Sequence, residues 1–228
     1  AELARTQNAD LLKNLEDAFK YIENESFEST FQGLFSEINL NSEKLGKKYP
    51  ERNAKLCTII TKIAEGIAEF STDSDILGDA YEYLIGQFAA GSGKKAGEFY
   101  TPHGPAQILC KIAMAGQEKK KGLQVYDPCM GSGSLMLSCR NYSEEPDYIK
   151  YYGQELMPST YNLARMNMFL HGVLPENQHL RNGDTLDADW PSDEETEFDA
   201  VTMNPPYSAN WSAADGFKQD ERFMDYGG

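Results

Sequence analysis

The sequence predicts an α/β fold, in which an open, doubly wound sheet over residues 91–228 follows an all-helical region over residues 1–90. Three observations carry this. Apolar residues recur at helical spacing throughout the first part of the chain. At Ala89 the composition shifts to Ala-Ala-Gly-Ser-Gly-Lys-Lys-Ala-Gly, a flexible basic stretch of the kind that separates two units. Beyond it, short β-branched or apolar runs alternate with helical patterns, and each run ends at a polar residue.

Leu11, Leu12, Leu15, Phe19 and Ile22 form the first amphipathic stripe, and Leu56, Ile59, Ile60, Ile63 and Ile67 form the second. Between them Phe27, Phe31, Leu34, Phe35 and Ile38 mark shorter helical pieces, followed by a loop from Asn41 to Pro50. Asp73 or Ser74 caps a third helix carrying Ile76, Leu77, Tyr81, Leu84, Ile85 and Phe88. This region reads as packing or partner-binding helices, with no arrangement of side chains that suggests chemistry. A further helix begins near Pro105, with Ile108, Leu109 and Ile112 on one face.

The strands come next. Gln124-Val125-Tyr126 runs into Asp127 and then into a glycine-rich turn, Cys129-Met130-Gly131-Ser132-Gly133-Ser134, before the apolar helix start Leu135-Met136-Leu137. Tyr151-Tyr152-Gly153-Gln154 ends at Glu155, and Pro158 opens a helix containing Leu163, Met166, Phe169 and Leu170. Leu180 to Leu186 supplies a short strand with Asp184 at its carboxyl end. The run from Phe198 to Met203 reads as a buried strand that stops at Asn204-Pro205-Pro206-Tyr207, because successive prolines cannot continue a ladder.

Charge and cysteine usage limit the function. The 228-residue chain carries a formal net charge of −15, which repels polyanions and counts against a stand-alone nucleic-acid binder. Residues 1–75 hold nine basic and fourteen acidic groups, residues 76–122 six and four, and residues 123–228 six and eighteen. Only the middle is basic, through Lys94, Lys95 and Lys119 to Lys121 among others. Cys57, Cys110, Cys129 and Cys139 lie far apart without metal-ligand spacing and read as reduced thiols. No apolar run is long enough to cross a bilayer, so the chain reads as cytoplasmic with no membrane partner.

Ligands of open α/β sheets bind in the crevice at the carboxyl ends of the strands, so Asp127, Glu155, Asp184 and Asn204 are expected to converge there. The turn lacks the third glycine of a dinucleotide fingerprint, and an aspartate at its entrance would repel a pyrophosphate and attract an ammonium. Asn204 and the carbonyls held by Pro205 and Pro206 form a set of acceptors for an amine, and Tyr207 offers a ring on which a planar base can stack. The elements together describe a clamp for an aromatic or amide amine beside a site for a cationic ligand.

The order Glu-Phe-Tyr-Thr-Pro (Glu98 to Pro102), Asp-Pro-Cys-Met-Gly-Ser-Gly, strand-Glu, Asn-Gly-Asp and Asn-Pro-Pro-Tyr resembles the amino-methyltransferases that use S-adenosyl-L-methionine. Within them the chain most resembles the modification (M) subunit of type I restriction-modification systems, an N6-adenine DNA methyltransferase family. The likeness covers nearly the whole chain, and the Glu-Phe-Tyr-Thr-Pro element with the preceding helices is its specific part.

The resemblance implies a Rossmann-like methyltransferase sheet that is truncated here, because the family's domain continues with further strands. It also implies a fragment weakly active by itself. Glu98, Phe99, Tyr100, Thr101, Pro102 and Asp127 would line the methionine end of the cofactor. Gly131, Ser132, Gly133 and Ser134 would let it approach the turn, Glu155 would hold the ribose, and Asp184 would accept from the adenine amino group. Asn204, Pro205, Pro206 and Tyr207 would be the catalytic clamp, with no metal required. His103 stands where a basic side chain is expected and reads as a surface histidine. The implied partners are DNA, a specificity subunit, a second modification subunit and a restriction subunit. Two other readings stay open: an amino-methyltransferase acting on protein glutamine or RNA guanine, and a non-catalytic assembly subunit.

Overall fold

A computed structural model describes residues 1–26, 31–67, 74–91, 100–186 and 197–207. Phe27, Asp73, Lys94, Lys95, Glu98 and Phe99 lie outside the described residues. Up to residue 91 the regular elements are helices: α1 (Glu2–Arg5), α2 (Leu11–Glu25), α3 (Tyr49–Ile67) and α4 (Ser74–Gly91). Helix α3 starts earlier than its apolar stripe, with Pro50 in its first turn, where a missing N–H leaves no helical bond unmade. Helix α4 runs through Ala89 and Ala90, so the expected linker begins as helix.

Ala4, Leu11, Leu12, Leu40, Leu56 and Cys57 form the core of the first helices. Buried Asn53 on α3 fastens the start of α2, its Oδ1 accepting from the Leu12 amide at 2.8 Å and its Nδ2 donating to the Asn8 carbonyl at 2.8 Å. The short helical pieces expected around Phe31 to Ile38 are consecutive turns, closed by bonds such as Leu34 N–H to the Phe31 carbonyl. Gly33 at φ +70° breaks the helical path there.

The second half begins with α5 (His103–Ala113) and alternates strand and helix: β1 (Gln124–Asp127), α6 (Ser134–Leu137), β2 (Lys150–Glu155), α7 (Pro158–Leu170), β3 (Gln178–Asn182) and β4 (Ala200–Val201). The strands form one sheet in the order β3-β2-β1-β4, and every pairing is parallel. The register sets Asp127 beside Gly153 and Glu155 beside Asn182. Thr202 continues β4 past its last paired residue, donating its amide to the Tyr126 carbonyl at 3.0 Å.

One face of the sheet packs on α5, α6 and α7 through Val125, Tyr151, Met136, Met168 and Cys110. Across the other face runs a series of rings, with Tyr152 stacked on His179 at 4.4 Å and Phe198 stacked on Tyr126 at 4.5 Å. Asp199 fixes where β4 enters: its carboxylate accepts from the Gln124 amide at 2.9 Å and pairs with Lys120. Val201 and Met203 remain 55% and 49% exposed while Ala200 and Thr202 are buried, so among the described residues the Phe198–Met203 run lies at the sheet edge, buried on one face and not throughout as expected. It pairs with β1, and among the described residues no strand lies on its other side.

Two helices turn different faces inward than their large apolar residues suggest. In α5 the buried side chains are Ala106 and Cys110, while Ile108 and Ile112 are exposed. In α7 the buried ones are Ala164, Asn167 and Met168, while Phe169 is half exposed and meets Phe31 edge-on at 4.9 Å. The reason in α7 is that the helix is covered on two sides. Small residues admit the glycine-rich turn, and larger ones face the N-terminal region. Asn162 Nδ2 donates to the Gly33 carbonyl at 3.1 Å and Arg165 to the Gln32 carbonyl at 3.0 Å, fastening that region along α7.

Gly153 is the closest backbone approach in the sheet. A Cβ there would lie 2.5 Å from the Met130 sulfur and 3.0 Å from Met136 Cε. The adjacent Gln154 carbonyl accepts from the Met130 amide at 3.0 Å, so separating β2 from the glycine-rich turn would strain that bond and room has to come from the buried Met130 and Met136 side chains. Gly153→Ala is expected to lower stability by about 1–3 kcal/mol through overpacking, read as a lower urea midpoint at unchanged slope.

Candidate active site

The strand order reverses between β1 and β4, since β2 follows β1 on one side and β4 lies on the other. That reversal opens a crevice at the carboxyl ends of the two strands. Its walls include Tyr100, Thr101, Asp127, Gly131, Ser132, Ser134 and Asn204. Seven of the residues singled out from the sequence therefore meet there. The two motifs farthest apart in the sequence touch directly, Asn204 Nδ2 donating to Thr101 Oγ1 at 3.2 Å.

Asp127 is 1% exposed. Its Oδ1 accepts from the Cys129 amide at 2.9 Å, while its Oδ2 is buried without a partner. Burial pushes its carboxyl up to about 7; the Cys129 amide opposes the rise and the charge of Glu155 adds to it. A buried carboxylate oxygen with nothing to accept from is costly in the charged form, and a cation in the crevice would relieve that cost.

The turn after Asp127 holds its shape through two left-handed residues, Gly131 at φ +55° and Gly133 at φ +78°. Gly131, Ser132 and Ser134 line the crevice, whereas Gly133 faces α7, where a Cβ would stand 3.3 Å from Met168 Cε. Its glycine is thus required for packing as well as for backbone conformation. Cys129 also lines the crevice, its thiol raised to about 11 by burial and by the charges of Asp127, Glu155 and Asp184.

Glu155 and Asp184 do not line this crevice with Asp127 and Asn204. They follow outward along the rim, because β2 and β3 stand one and two strands away from β1, roughly 4.8 Å per strand. Glu155 is half-buried; burial raises its carboxyl, and the amides of Met157, Gly131 and Leu156 counter that. Its Oε1 accepts from the Met157 amide at 2.8 Å. Asp184 sits two residues beyond β3, exposed, with Oδ1 bonded to the Leu186 amide at 3.0 Å. The strand ends at Asn182 because that side chain turns back to the Glu155 carbonyl at 2.6 Å.

Pro102 precedes α5 at the surface, and His103 is exposed and bonded to Gln107 at 2.8 Å. Pro205 is half-buried, Pro206 exposed, and Tyr207 93% exposed. Sequence reasoning missed Thr202 and Asn167. Thr202 is 5% exposed with its hydroxyl unpartnered, and it follows β4 on the sheet face that carries Asp127. Period-two alternation back from Asn204 could have found it. Asn167, fully buried in α7, donates to the Ser132 carbonyl at 3.0 Å.

A family model described as N-6 DNA Methylase matches residues 72–228. The MpnII methylase subunit of a type I restriction enzyme from Mycoplasma pneumoniae is 37% identical, over 96% of this chain and 44% of its own. The MjaIX methylase subunit of Methanocaldococcus jannaschii is 28% identical, over 81% of this chain and 35% of its own. The crystal structure of a type I restriction-modification methyltransferase subunit from Streptococcus thermophilus superposes with a TM-score of 0.89 at 48% identity, covering 99% of this chain and 47% of that one. The chain thus spans about half the length of these relatives or less.

The raised Asp127 carboxyl has a consequence for stability. The folded state holds this proton to about pH 7, and the unfolded chain releases it near 3.8. The stabilising contribution is complete below the unfolded value and is lost as pH rises through the folded one. Asp127→Asn keeps the neutral shape at every pH. The difference in unfolding free energy between the two proteins should grow in favour of Asp127→Asn from about pH 4 to about pH 8, by a few kcal/mol at about 1.4 per pKa unit. Urea titrations across that range check it.

Proposed function

The chain belongs to the N-6 DNA methylase family, and on that premise we propose that it transfers a methyl group from S-adenosyl-L-methionine to the N6 amino group of adenine in DNA, as part of a type I restriction-modification complex. The observation that carries this is the contact between Asn204 and Thr101 at the crevice that also holds the unpartnered Oδ2 of Asp127. The names of the relatives from Mycoplasma pneumoniae and Streptococcus thermophilus support the assignment to a methylase subunit.

The residues present fit this cofactor. Asp127 Oδ2 is an acceptor awaiting a cationic donor, and Thr202 Oγ1 beside it is a second unpartnered polar atom. Asp127 with Tyr100 and Thr101 would hold the methionine end. Glu98, Phe99 and Pro102 are assigned to the same end. The Gly131 to Ser134 turn would follow the chain of the ligand, Glu155 would accept from the ribose hydroxyls, and Asp184 from the adenine amino group. An extended ligand fits their order along the rim. When bound, S-adenosyl-L-methionine supplies an electrophilic methyl on a sulfonium.

The remaining steps belong to the protein. Adenine's amino lone pair is delocalised into the ring. The Asn204 side-chain oxygen and the Pro205 carbonyl accept its two N–H bonds, favour the lone pair on nitrogen and aim it toward the donor. The Asn204 amide nitrogen is already engaged by Thr101, which leaves its oxygen for the substrate. Pro206 ends the backbone ladder so that the carbonyls stay free. Tyr207 stacks on a base that has left the duplex.

The domain division follows from this reading: residues 1–90 form a helical unit and residues 91–228 carry the methyltransferase chemistry. The excess of acid, −15 over the chain, leaves DNA affinity to partners: a specificity subunit, a second modification subunit and a restriction subunit. Among the described residues no helix is long and apolar enough to cross a membrane, and we assign the work to the cytoplasm.

Labelled methyl transfer to unmodified and hemimethylated DNA by the assembled complex tests the proposal. Asn204→Ala is expected to lower the rate by about 10²- to 10³-fold with cofactor affinity retained. Asp127→Ala and Glu155→Ala should weaken calorimetric binding of S-adenosyl-L-methionine. Label recovered on protein or RNA, with none on DNA, would overturn the substrate assignment.

A further inference from the structure

We infer that Asn167 is a positioning residue through which α4 sets the shape of the glycine-rich turn, so that seating of the N-terminal helices and affinity for the cofactor are coupled. The inference rests on the reading that this turn holds S-adenosyl-L-methionine. Asn167 is fully buried in α7. Its Nδ2 lies 3.0 Å from the Ser132 carbonyl, 3.3 Å from Ser134 Oγ and 3.2 Å from Glu82 Oε1 on α4. A carbonyl and a carboxylate can only accept, so the nitrogen must be the atom that faces them.

The peptide joining Ser132 to Gly133 is the one so engaged. Its N–H donates to the Met130 carbonyl at 2.8 Å, and its carbonyl accepts from Asn167. That peptide stands between Gly131 at φ +55° and Gly133 at φ +78°. Gly133 on its C-terminal side, with Gly131 one residue before, lowers the cost of rotating the peptide plane unless its two ends are tied. One tie is local to the turn. The other crosses to α7 and, through Glu82, to α4.

Rotation of this plane would turn a carbonyl toward a ligand that the turn must approach with its amides. Glu82 limits that motion by holding the amide of Asn167 in one orientation. Helix α4 reaches the crevice a second time where Gly86 packs on Tyr100, whose ring a Cβ would meet at 3.5 Å. The same helix therefore braces one wall of the crevice by packing and the other by a hydrogen-bonded relay.

The test uses this chain with Glu82→Ala and Glu82→Gln, since Glu82 is only partly buried and its removal leaves no cavity in the core. Hydrogen exchange over residues 129–135 is followed without ligand, and S-adenosyl-L-methionine affinity is measured by calorimetry. Glu82→Ala is expected to speed exchange at the turn and weaken affinity about three- to tenfold, while Glu82→Gln, which keeps an acceptor oxygen, stays within about twofold of the parent. In an Asn167→Ala background Glu82→Ala should add no further loss. Unchanged exchange and affinity in Glu82→Ala, equal losses in both Glu82 variants, or an undiminished effect in the Asn167→Ala background would each overturn the relay. If Asn167→Ala does not fold, the two Glu82 variants decide alone. A parent protein without measurable cofactor affinity would overturn the reading of the crevice, while exchange at the turn would still report on the relay.

Discussion

The parallel register of β1 with its two neighbours is the constraint from which the site follows. Pairing of Asp127 with Gly153 on one side, and of Tyr126 with Val201 on the other, brings the carboxyl ends of three strands level. Side chains alternate between faces along a strand, so a slip of one residue would carry Asp127 from the crevice to the face occupied by Tyr126 and Tyr152. Several contacts oppose such a slip. Asp199 accepts from the Gln124 amide at the start of β1, and the Met130 amide ties the following turn to β2. Gly153 adds a steric limit, because β2 can lie this close to Met130 and Met136 only without a side chain.

The electrostatics of the rim follow from that placement. Asp127, Glu155 and Asp184 come from three separate elements, yet all three raise the Cys129 thiol, so their charges act on one small volume. Burial already disfavours ionisation of Asp127 and Glu155, and the charge of Glu155 makes ionisation of Asp127 harder still. Such a site is poised for a cation and hostile to an anion. Under the proposed function the same property would separate donor from substrate: a sulfonium with an ammonium suits such a site, while the phosphates of DNA do not. Attraction of DNA would then have to arise on other surfaces, as the proposed assembly with partner subunits supplies.

Much of this arrangement was legible in the sequence because backbone chemistry announces itself locally. The alternation of strand, acid and helix around Asp127 and Glu155 is recorded in short-range pattern, and so are the paired prolines after Asn204. What the sequence concealed depends on which elements meet. Ile108 and Ile112 looked like the inward residues of α5, yet Ala106 and Cys110 face the core, where Cys110 comes close enough to donate to the Leu135 carbonyl at 3.1 Å. Phe169 likewise gave up the sheet side of α7 to Ala164 and Met168, because close approach of the turn selects small or flexible residues there. Asn167 carried no signal at all. A single asparagine within an amphipathic helix looks like a solvent-facing residue until its partners on α4 and in the turn are known. Asp184 lies beyond its strand for a simpler reason: β3 closes two residues before it, with a side-chain bond from Asn182 to the Glu155 carbonyl that no periodicity records.

Under the proposed function donor site and clamp share a wall, and this would shape what the clamp can do. Thr101 lines the crevice beside Asp127 and also holds the Asn204 amide, so the acceptor oxygen of the clamp is oriented by a residue that belongs to the donor side. Methyl transfer needs the attacking nitrogen, the methyl carbon and the leaving sulfur nearly in line, and a wall common to both partners fixes that line without relying on a distant hinge. Tyr207 lies outside this framework, almost fully exposed and beyond the two prolines that follow β4. Its ring would therefore contribute, in the proposed reaction, only when a base arrives to cover it. In the proposed reaction the acceptors of the clamp are set in the fold, and the stacking half of recognition would be completed by the substrate itself.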